Sequence, residues 1–429
     1  LTKELNALLD TTEKQRDDKR TEAIGLLRTF LASNPTGDER AEGTFKLAEL
    51  LWEEARRVYL IKMEDYSRQL ELCSQKKDAC TEQPKEPRIE LAEAEQLYLE
   101  LHDKYPNFRR IDLVTYVIGF AEKEAGREDD AMARFQEVID KYPHSSLYGD
   151  AWMMVGEHYF AASQWDKAKD AYTHIPDSAA TSDLALFKIA WCEWKLGNSD
   201  QSAKDFKLVL DKAVEAERSG TEAQRRRSAN LRDEALEQLV VVFTEDRQIS
   251  AQEVFDFLAS IGGERYSRDV MIKVAESYGA QAEWERSNEA YRFLIKMDPE
   301  SIKSAEYQRD IVTNWNSALD PEKAQDEIKI LLEAFGPQSG WAKAQKNREA
   351  LDRSLATTEE LVRVTATNLH GEAQRREKLL HLPAQNGCAT KPPVPPDLLA
   401  LYTRAADAYD AYLQAFGTNK AAAEQAIEV

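Results

Sequence analysis

The chain has 429 residues, more than one ordinary compact core usually holds, and 31% of them are charged. With only 17 glycines and 14 prolines, this composition favours long solvated helices over sheets. The formal net charge of −20 makes duplex nucleic acid a poor partner. No stretch approaches the roughly 18 consecutive apolar residues that a membrane span needs.

The first elements along the chain are predicted to be helices. One runs from Arg20 to Ser33 and ends before a proline, which cannot continue a helix. A helix pair follows at Gly43 to Leu60 and Ile89 to Tyr105, separated by an insertion at about 61–88. The chain begins at Leu1 without an initiator Met or an apolar leader. We interpret it as a processed or trimmed piece, and a signal peptide or lipid anchor upstream stays open.

The middle of the chain repeats one pattern. Trp152, Val155, Gly156 and Tyr159 lie on one predicted helix, and the next helix carries an Ala followed four residues later by an aromatic. Small residues let paired helices approach, and aromatics fill the space between them. The pairs that show this spacing are Ala131 and Phe135, Ala168 and Tyr172, and Ser202 and Phe206. A proline follows twelve residues after the small residue at Ala23, Ala94, Ala131 and Ser287, so the register persists along the chain.

The pattern weakens beyond Glu217, where 218–262 reads as a degenerate helix pair. Good helix pairs return after Gly262-Gly263, and one long helix is predicted from Trp341 to about Leu380. A Pro-rich loop at about 381–397 precedes a last helix, Leu398 to Phe416. We therefore divide the chain into an N-terminal array at 1–217, the degenerate pair, and C-terminal helices at 263–429.

The four cysteines give one structural expectation. Cys73 and Cys80 are seven residues apart in a polar segment, where a disulfide is sterically plausible and would indicate an oxidising compartment. Two free thiols in a cytosolic protein are the alternative. Cys192 is expected in the core, and the partner of Cys388 cannot be read from the sequence.

Catalytic motifs are not found. The sequence has no Gly-x-Ser-x-Gly, no phosphate-binding Gly-rich loop and no His-Glu-x-x-His, and none of its six histidines has a ligand-spaced partner. We therefore predict no enzyme activity, no metal and no cofactor. Two basic clusters, Arg225-Arg226-Arg227 and Arg375-Arg376 with Lys378, are interpreted as solvated helix faces because acidic residues surround them.

The spacing resembles tetratricopeptide repeats from about Arg20 to Phe416. The resemblance implies an all-α fold, a right-handed α-solenoid of helix-turn-helix repeats with two insertions, and protein partners. A finer resemblance lies in Lys-Tyr-Pro at 104–106 and Lys-Tyr-Pro-His-Ser at 141–145. These motifs look like bacterial cell-envelope proteins: the outer-membrane assembly lipoprotein of the BamD type, the periplasmic partner of Tol-Pal, and gliding-motility envelope components of myxobacteria.

In this repeat class, the helix-A positions offset by one, five and eight from the tryptophan position tend to line the concave face. A row of aromatics there would suit an apolar helix or extended peptide of a partner. The alternative is that these side chains pack between neighbouring A helices. The residues at these positions are Tyr116, Phe120, Lys123, Met153, Glu157, Phe160, Phe187, Trp191 and Trp194.

Three functional hypotheses follow. The first is a non-enzymatic periplasmic adaptor that binds subunits of an outer-membrane or other envelope complex. The second is a cytosolic co-chaperone or scaffold that grips acidic tails, which needs a groove lined by Lys, Arg and Asn. Here the predicted face offers Lys123 and Lys195 but mostly aromatics and Glu157. The third, an enzyme on a helical scaffold, lacks a motif.

Overall fold

The computed structural model describes residues 2–75, 84–247, 249–380 and 394–417. Within these ranges every regular element is helical and no strand occurs, so the all-α prediction is confirmed. The chain divides into two compact units, 1–198 and 199–429. Consecutive helices pack pairwise within each unit, as the predicted solenoid requires.

Unit 1, residues 1–198, consists of helices joined mostly by short turns. Its elements are α1 (Thr2–Ala32), α2 (Gly37–Gln75), α3 (Ala92–Lys104), α4 (Ile111–Glu124), α5 (Glu128–Lys141), α6 (Tyr148–Ala161), α7 (Trp165–Thr173) and α8 (Ser182–Lys195).

Unit 2 continues the pattern with longer helices at both ends. Its α-helices are α9 (Ser199–Ser219), α10 (Glu222–Val241), α11 (Ala251–Ser260), α12 (Ser267–Ala280), α13 (Trp284–Met297), α14 (Ile302–Ser317), α15 (Pro321–Phe335), α16 (Gly340–Ala344), α17 (Arg348–Leu379) and α18 (Pro396–Phe416). A π-helical turn at Val242–Arg247 follows α10, and a 3-10 turn at Glu264–Tyr266 precedes α12.

The helix pair α6/α7 shows why the small and aromatic positions recur. Tyr172 is 1% exposed and lies directly against Gly156. A Cβ atom at residue 156 would stand 2.3 Å from Cε1 of Tyr172, which no real contact allows. In α4/α5, Phe135 lies against Gly119 in the same way, with a hypothetical Cβ at 3.0 Å from its ring. The predicted pairing of a small residue with an aromatic is therefore a direct helix–helix contact.

The turn between the two helices of a repeat has a fixed backbone conformation. In five turns, a residue with positive φ lies seven residues after the position in the first helix that faces the second helix, which is Gly119, Gly156, Ala190, Ala275 or Val312. The residues with positive φ are Gly126 (76°), Ser163 (57°), Gly197 (80°), Ala282 (60°) and Leu319 (56°). One left-handed residue reverses the chain at this point. The same backbone solution thus occurs in both units.

Helix lengths depart from the sequence-based prediction in three places. Helix α1 begins at Thr2 rather than at Arg20. Helix α2 continues past Leu60 to Gln75, through much of the predicted insertion at 61–88. The expected single helix from Trp341 to Leu380 is instead two, because the Asn347 side chain accepts a hydrogen bond from the Ala350 amide at 3.0 Å and begins α17 there. Cys80, Cys388 and most of the predicted loop at 381–397 lie outside the described residues.

Candidate partner-binding surface

The first helices of the repeats in unit 1 contact one another through aromatic rings. Trp52 of α2 lies 5.7 Å from Phe120 of α4, measured between ring centroids. Phe160 of α6 lies 6.2 Å from Trp191 of α8. Rings from adjacent repeats therefore meet between α2 and α4 and between α6 and α8, in tilted or edge-to-face contacts.

The residues at offset one from the tryptophan position point inward. Met153 and Phe187 are each 7% exposed, and Met153 belongs to the core beneath α6 and α7. Tyr116 is half-buried and packs 5.5 Å from the Phe135 ring. Burial, and then the nearby Asp150 carboxylate, raises the pKa of Tyr116 to about 12. Met153 and Phe187 therefore offer little surface to a partner, and the half-buried Tyr116 is engaged by the Phe135 ring.

The residues at offsets five and eight remain half-buried. They are Phe120 and Lys123 on α4, Glu157 and Phe160 on α6, and Trp191 and Trp194 on α8. Each keeps part of its side chain accessible to solvent. The structure thus divides the nine predicted residues into an inward-facing and an accessible set, and their role in binding stays a prediction.

Four rings of the α6–α8 region form a connected group, which we call the aromatic ridge: Phe160, Trp165, Trp191 and Trp194. The centroid of Phe160 lies 5.0 Å from that of Trp165, and the Trp191 and Trp194 centroids are 5.1 Å apart. All four residues are half-buried. Such edge-to-face pairs contribute about 0.5–1.5 kcal/mol each beyond their buried area, so the ridge is held in shape before a partner arrives.

Two lysines lie over the ridge. The Nζ of Lys188 stands 4.4 Å from the centroid of Phe160. The Nζ of Lys195 stands 4.0 Å from the centroid of Trp194 and 5.0 Å from that of Trp191. Lys188 is paired with Glu157 at 3.1 Å, whereas Lys195 has no carboxylate within 4 Å among the residues described. The ridge thus carries one unneutralised positive charge.

Glu157 joins the ridge to the core of the repeat. One of its oxygens accepts a hydrogen bond from the Tyr172 hydroxyl at 2.7 Å, and the carboxylate pairs with Lys188. Burial, and then this hydrogen bond, raises the pKa of Tyr172. The hydrogen bond from Tyr172 holds the Glu157 carboxylate in place, and its ion pair with Lys188 positions the Lys188 ammonium above the Phe160 ring.

Sequence reasoning named Lys195 but missed Trp165 and Lys188 as members of this surface. The offset rule considered first helices only, whereas Trp165 begins the second helix, α7, directly after the turn at Ser163. Its ring reaches back to Phe160 because the turn is tight. A rule that included the first residue of the second helix would have found it.

In the described ranges, no group of three or more His, Cys, Asp or Glu side chains is arranged to hold a metal. The Cys192 thiol is fully buried, which raises its pKa to about 12 and makes it a poor nucleophile. Across the part of the chain that the structure covers, no helix is both long and apolar enough to span a membrane.

Comparison with known proteins points to one repeat class. The tetratricopeptide repeat family matches residues 116–145 and 184–213. A search of curated proteins found no match. Among solved structures, the chain is similar to the C-terminal part of a TPR repeat-containing protein from Cytophaga hutchinsonii, with 11% identity and a TM-score of 0.35, over 68% of this chain and 95% of that one.

Two further solved structures are also similar at low identity. The APC/C hetero-tetramer Cut9–Hcn1 matches with 14% identity and a TM-score of 0.28, over 78% of this chain and 52% of that one. Naa15/Naa10 bound to HypK-THB matches with 14% identity and a TM-score of 0.28, over 94% and 64%. Residues 116–145 and 184–213 therefore match tetratricopeptide repeats within an all-helical fold, and repeats of this class indicate a scaffold for protein–protein interaction.

Proposed function

We propose that this scaffold holds a segment of a partner protein on the aromatic ridge of α6–α8. The observation that carries the proposal is the ridge itself: four connected, half-buried rings, three on the first helices α6 and α8 and one, Trp165, at the start of α7. Trp side chains supply large contact areas with little loss of conformational freedom, and they often dominate the binding energy of interfaces. A ridge of this kind fits the apolar side of a helix or an extended peptide.

The charges around the ridge define the partner segment further. Lys195 lies over two indole rings and has no carboxylate within 4 Å among the described residues. A carboxylate placed beside the apolar side chains of the partner would pair with this exposed ammonium. The partner segment is therefore apolar with an adjoining Asp or Glu.

We place the protein in the bacterial cell envelope, as a periplasmic adaptor of an outer-membrane-associated complex. The Lys-Tyr-Pro motifs and the Cys73/Cys80 spacing support this assignment. A cytosolic co-chaperone would need a groove lined by several basic and amide side chains, and the ridge offers mainly aromatics. Thiol titration of the denatured protein, with and without prior reduction, tests the compartment: a gain of two thiols on reduction is expected, and four thiols without reduction would contradict it.

Replacement of Trp191 and Trp194 together by Ala tests the ridge. The expected result is that the proteins captured from the native host's envelope by the wild-type chain are lost or reduced at least tenfold with the double variant. Far-UV circular dichroism should stay unchanged, because both residues are half-buried rather than core.

The matched control is Trp284→Ala, which removes a half-buried Trp from α13 of unit 2 and should leave capture unchanged. A second control, Phe135→Ala, shows how far the melting temperature falls when a core ring that is 1% exposed is lost. Unchanged capture by the double variant would refute the ridge as the binding site. A fall in melting temperature as large as that of Phe135→Ala would show that the two Trp residues are structural.

A further inference from the structure

Helix α1 carries the residue pattern of the second helix of a repeat. Its small residue is Ala23, and a proline follows twelve residues later, as it does in α3 and α5. The residues four and seven positions after the small residue are Leu27 and Phe30. In α5 and α7 the residue four positions on is the aromatic that lies directly against the glycine of the first helix.

These positions are buried in the complete repeats but open in α1. In α1, Leu27 is half-buried and Phe30 is 39% exposed. The second helices α3, α5, α7, α13 and α15 each pack on the first helix of their own repeat, which covers these positions. Their equivalent residues are at most 9% exposed: Tyr98, Phe135, Tyr172, Tyr291 and Ile328 four positions on, and Leu101, Val138, Ile175, Leu294 and Leu331 seven positions on.

The residues before Ala23 do not supply a first helix for α1. In α5, α7, α13 and α15, a residue with positive φ lies five positions before the small residue and reverses the chain. The equivalent residue of α1 is Asp18, which lies inside a helix that is continuous from Thr2 to Ala32. The chain therefore runs straight past this position instead of folding back over Leu27.

An open cleft of about 820 Å³ lies at the uncovered positions. Its apolar lining is Leu27, Phe30, Gly43 and Phe108, which we call the α1 cleft. The Phe30 ring lies against Gly43 of α2, where a Cβ would stand 2.8 Å from Cε1 of Phe30. The Phe108 ring lies 5.4 Å from the buried Phe45 ring, measured between centroids. Both rings are therefore held by α2, so the cleft is formed before anything binds.

The charges at the rim of the α1 cleft are largely neutralised within the chain. The Glu42 carboxylate pairs with Arg109 at 3.0 Å and with Arg110 at 2.8 Å. Lys46 pairs with Glu49 at 2.6 Å. The remaining carboxylates, Asp38 and Glu39, lie in the first turn of α2, where the helix dipole favours them. Apolar shape rather than charge therefore selects what the cleft binds.

We propose that the α1 cleft binds an amphipathic helix of a partner protein, docked as the first helix that α1 lacks. The chain's own repeats identify this occupant, because five helices with the same residue pattern are each covered by one first helix. Such a helix presents an apolar stripe with a small residue opposite the position of Leu27, as Gly119 and Gly156 do within their own repeats. The site is separate from the aromatic ridge, which lies on α6–α8.

The test uses the full chain and a fluorescein-labelled peptide with the sequence of α12, Ser267–Ala280, which is one of the chain's own first helices. A lactam between its Asp269 and Lys273 side chains keeps the peptide helical, on the side opposite the residues that α12 buries. Fluorescence anisotropy should show saturable binding. Phe30→Glu should weaken binding about tenfold or more, because it places a charge on the apolar floor of the cleft. Phe30→Ala should weaken it about threefold, through the loss of apolar contact.

A second peptide separates docking in the cleft from non-specific apolar binding. Ala275→Leu in the peptide adds apolar volume at the small position, so it should weaken binding about fivefold by preventing close approach. Non-specific binding would instead become tighter. The matched control in the chain is Ile330→Glu, which replaces an exposed apolar residue of the second helix α15 and should leave the affinity unchanged.

Circular dichroism and melting temperature establish that each variant is folded, and Phe30→Ala still gives a result if Phe30→Glu does not fold. The proposal is overturned if the wild-type chain does not bind the α12 peptide, if the folded Phe30 variants bind it as well as the wild type, or if the Ala275→Leu peptide binds more tightly. Sedimentation velocity of the chain alone adds one outcome. A dimer that dissociates in the Phe30 variants would overturn the proposal, in favour of a second copy of this chain as the occupant.

Discussion

Two helix pairs with the same spacing, α6/α7 in unit 1 and α12/α13 in unit 2, are packed by different means. In α6/α7 the contact is apolar: Gly156 receives Tyr172, and the small position of α7 is Ala168, which is fully buried. In α12/α13 the corresponding small position is Ser287, also fully buried, whose hydroxyl donates to the Ala275 carbonyl at 2.8 Å.

The hydroxyl of Ser287 also links a third helix. Asn314 of α14 donates through Nδ2 to Ser287 Oγ and to Asn288 Oδ1, both at 2.8 Å. Further along the same helices, Gln308 donates to Glu327 at 2.6 Å, and Arg292 pairs with Glu327. Polar contacts of this kind specify which helix follows which, because a misplaced neighbour would leave buried groups without partners.

The repeat spacing therefore sets the distance between paired helices, but it does not determine whether their contact is apolar or hydrogen-bonded. The α6/α7 pair relies on close approach at glycine, which is intolerant of added volume. The α12/α13 pair relies on buried hydrogen bonds of Ser287, which are intolerant of lost partners. Each kind of packing should fail under a different substitution.

The largest effect is expected for Gly156→Ala in unit 1. The new Cβ would stand 2.3 Å from Cε1 and 2.6 Å from Cδ1 of Tyr172, so the buried ring has to move. Overpacking of this severity costs about 3 kcal/mol of unfolding free energy. Hydrogen exchange measured by mass spectrometry should show faster exchange in α6 and α7 and little change in α12–α15.

Gly25→Ala on α1 is the matched control for Gly156→Ala. No atom lies within 4 Å of its hypothetical Cβ, and the residue is exposed within a helix. Alanine there should stabilise the chain by about 0.5–1 kcal/mol, because it restricts the unfolded backbone. Equal effects of the two substitutions would show that the close approach at Gly156 does not decide the packing.

A smaller loss, of about 2 kcal/mol, is expected for Ser287→Ala in unit 2, because it leaves an Asn314 donor without its Ser287 acceptor. A double-mutant cycle with Asn314→Ala measures the coupling by chemical denaturation. We expect a coupling energy of about 1 kcal/mol, since the two side chains share one buried network. Additive effects would mean that the hydroxyl contributes nothing to the contact with α14.

The sequence predicted the helix pairs because each is encoded locally. A small residue and an aromatic at fixed spacing are sufficient to identify Gly156 with Tyr172 and Gly119 with Phe135. Helix lengths were less predictable: nothing between Leu60 and Gln75 breaks a helix, so α2 continues beyond the ordinary repeat length. The break between α16 and α17 is also hard to predict, because α17 begins at a side-chain cap, Asn347, which the hydrophobic periodicity does not reveal.

The candidate surface was predictable only in part. Offsets along the first helix located Phe160, Trp191 and Trp194, but they could not show that offset-one residues such as Met153 pack inward. That orientation depends on the angle between neighbouring helices, which sequence spacing does not contain. Trp165 joins the ridge across a turn, through a contact between two helices that a rule confined to one helix does not include.

The two units should also differ in how pH changes their stability. In unit 2, burial, and then repulsion from Glu306, raises the pKa of Asp310 to about 6, and the other charged groups around it are Glu276, Arg309 and Lys303. Because the folded state binds this proton more tightly, unfolding free energy falls as pH rises from about 4 to about 6. Asp310→Asn should therefore stabilise the chain by about 1–2 kcal/mol at pH 7 and have little effect at pH 4.

Glu137 in unit 1 is the control, because its pKa is lowered and its contribution to stability should change with pH in the opposite direction. Burial raises its pKa, but hydrogen bonds from Lys141 at 2.7 Å and His102 at 3.1 Å outweigh burial and hold the pKa below its ordinary value. Its contribution is present at neutral pH and is lost as pH falls through the lowered pKa. Glu137→Gln should destabilise at pH 7, and denaturation midpoints between pH 4 and 7 should move in opposite directions for the two variants.

The smallest effect concerns a backbone feature that occurs in both units, the left-handed residue in the turn. Leu319 has a φ of 56° and is 87% exposed, so its side chain has almost no packing to offset an unfavourable backbone conformation. A left-handed conformation costs an L-residue about 1–2 kcal/mol, part of which glycine returns as greater freedom in the unfolded chain. Leu319→Gly should therefore raise the unfolding free energy by about 0.5 kcal/mol.

The reciprocal change is Gly126→Ala in unit 1, where φ is 76° and no atom lies within 4 Å of the hypothetical Cβ. With no steric clash, the expected loss of about 1 kcal/mol reports the backbone conformation alone. Chemical denaturation of both variants should give shifts of opposite sign. Shifts of the same sign would show that the turn is not the same backbone device in the two units, since a shared left-handed position must favour glycine in both.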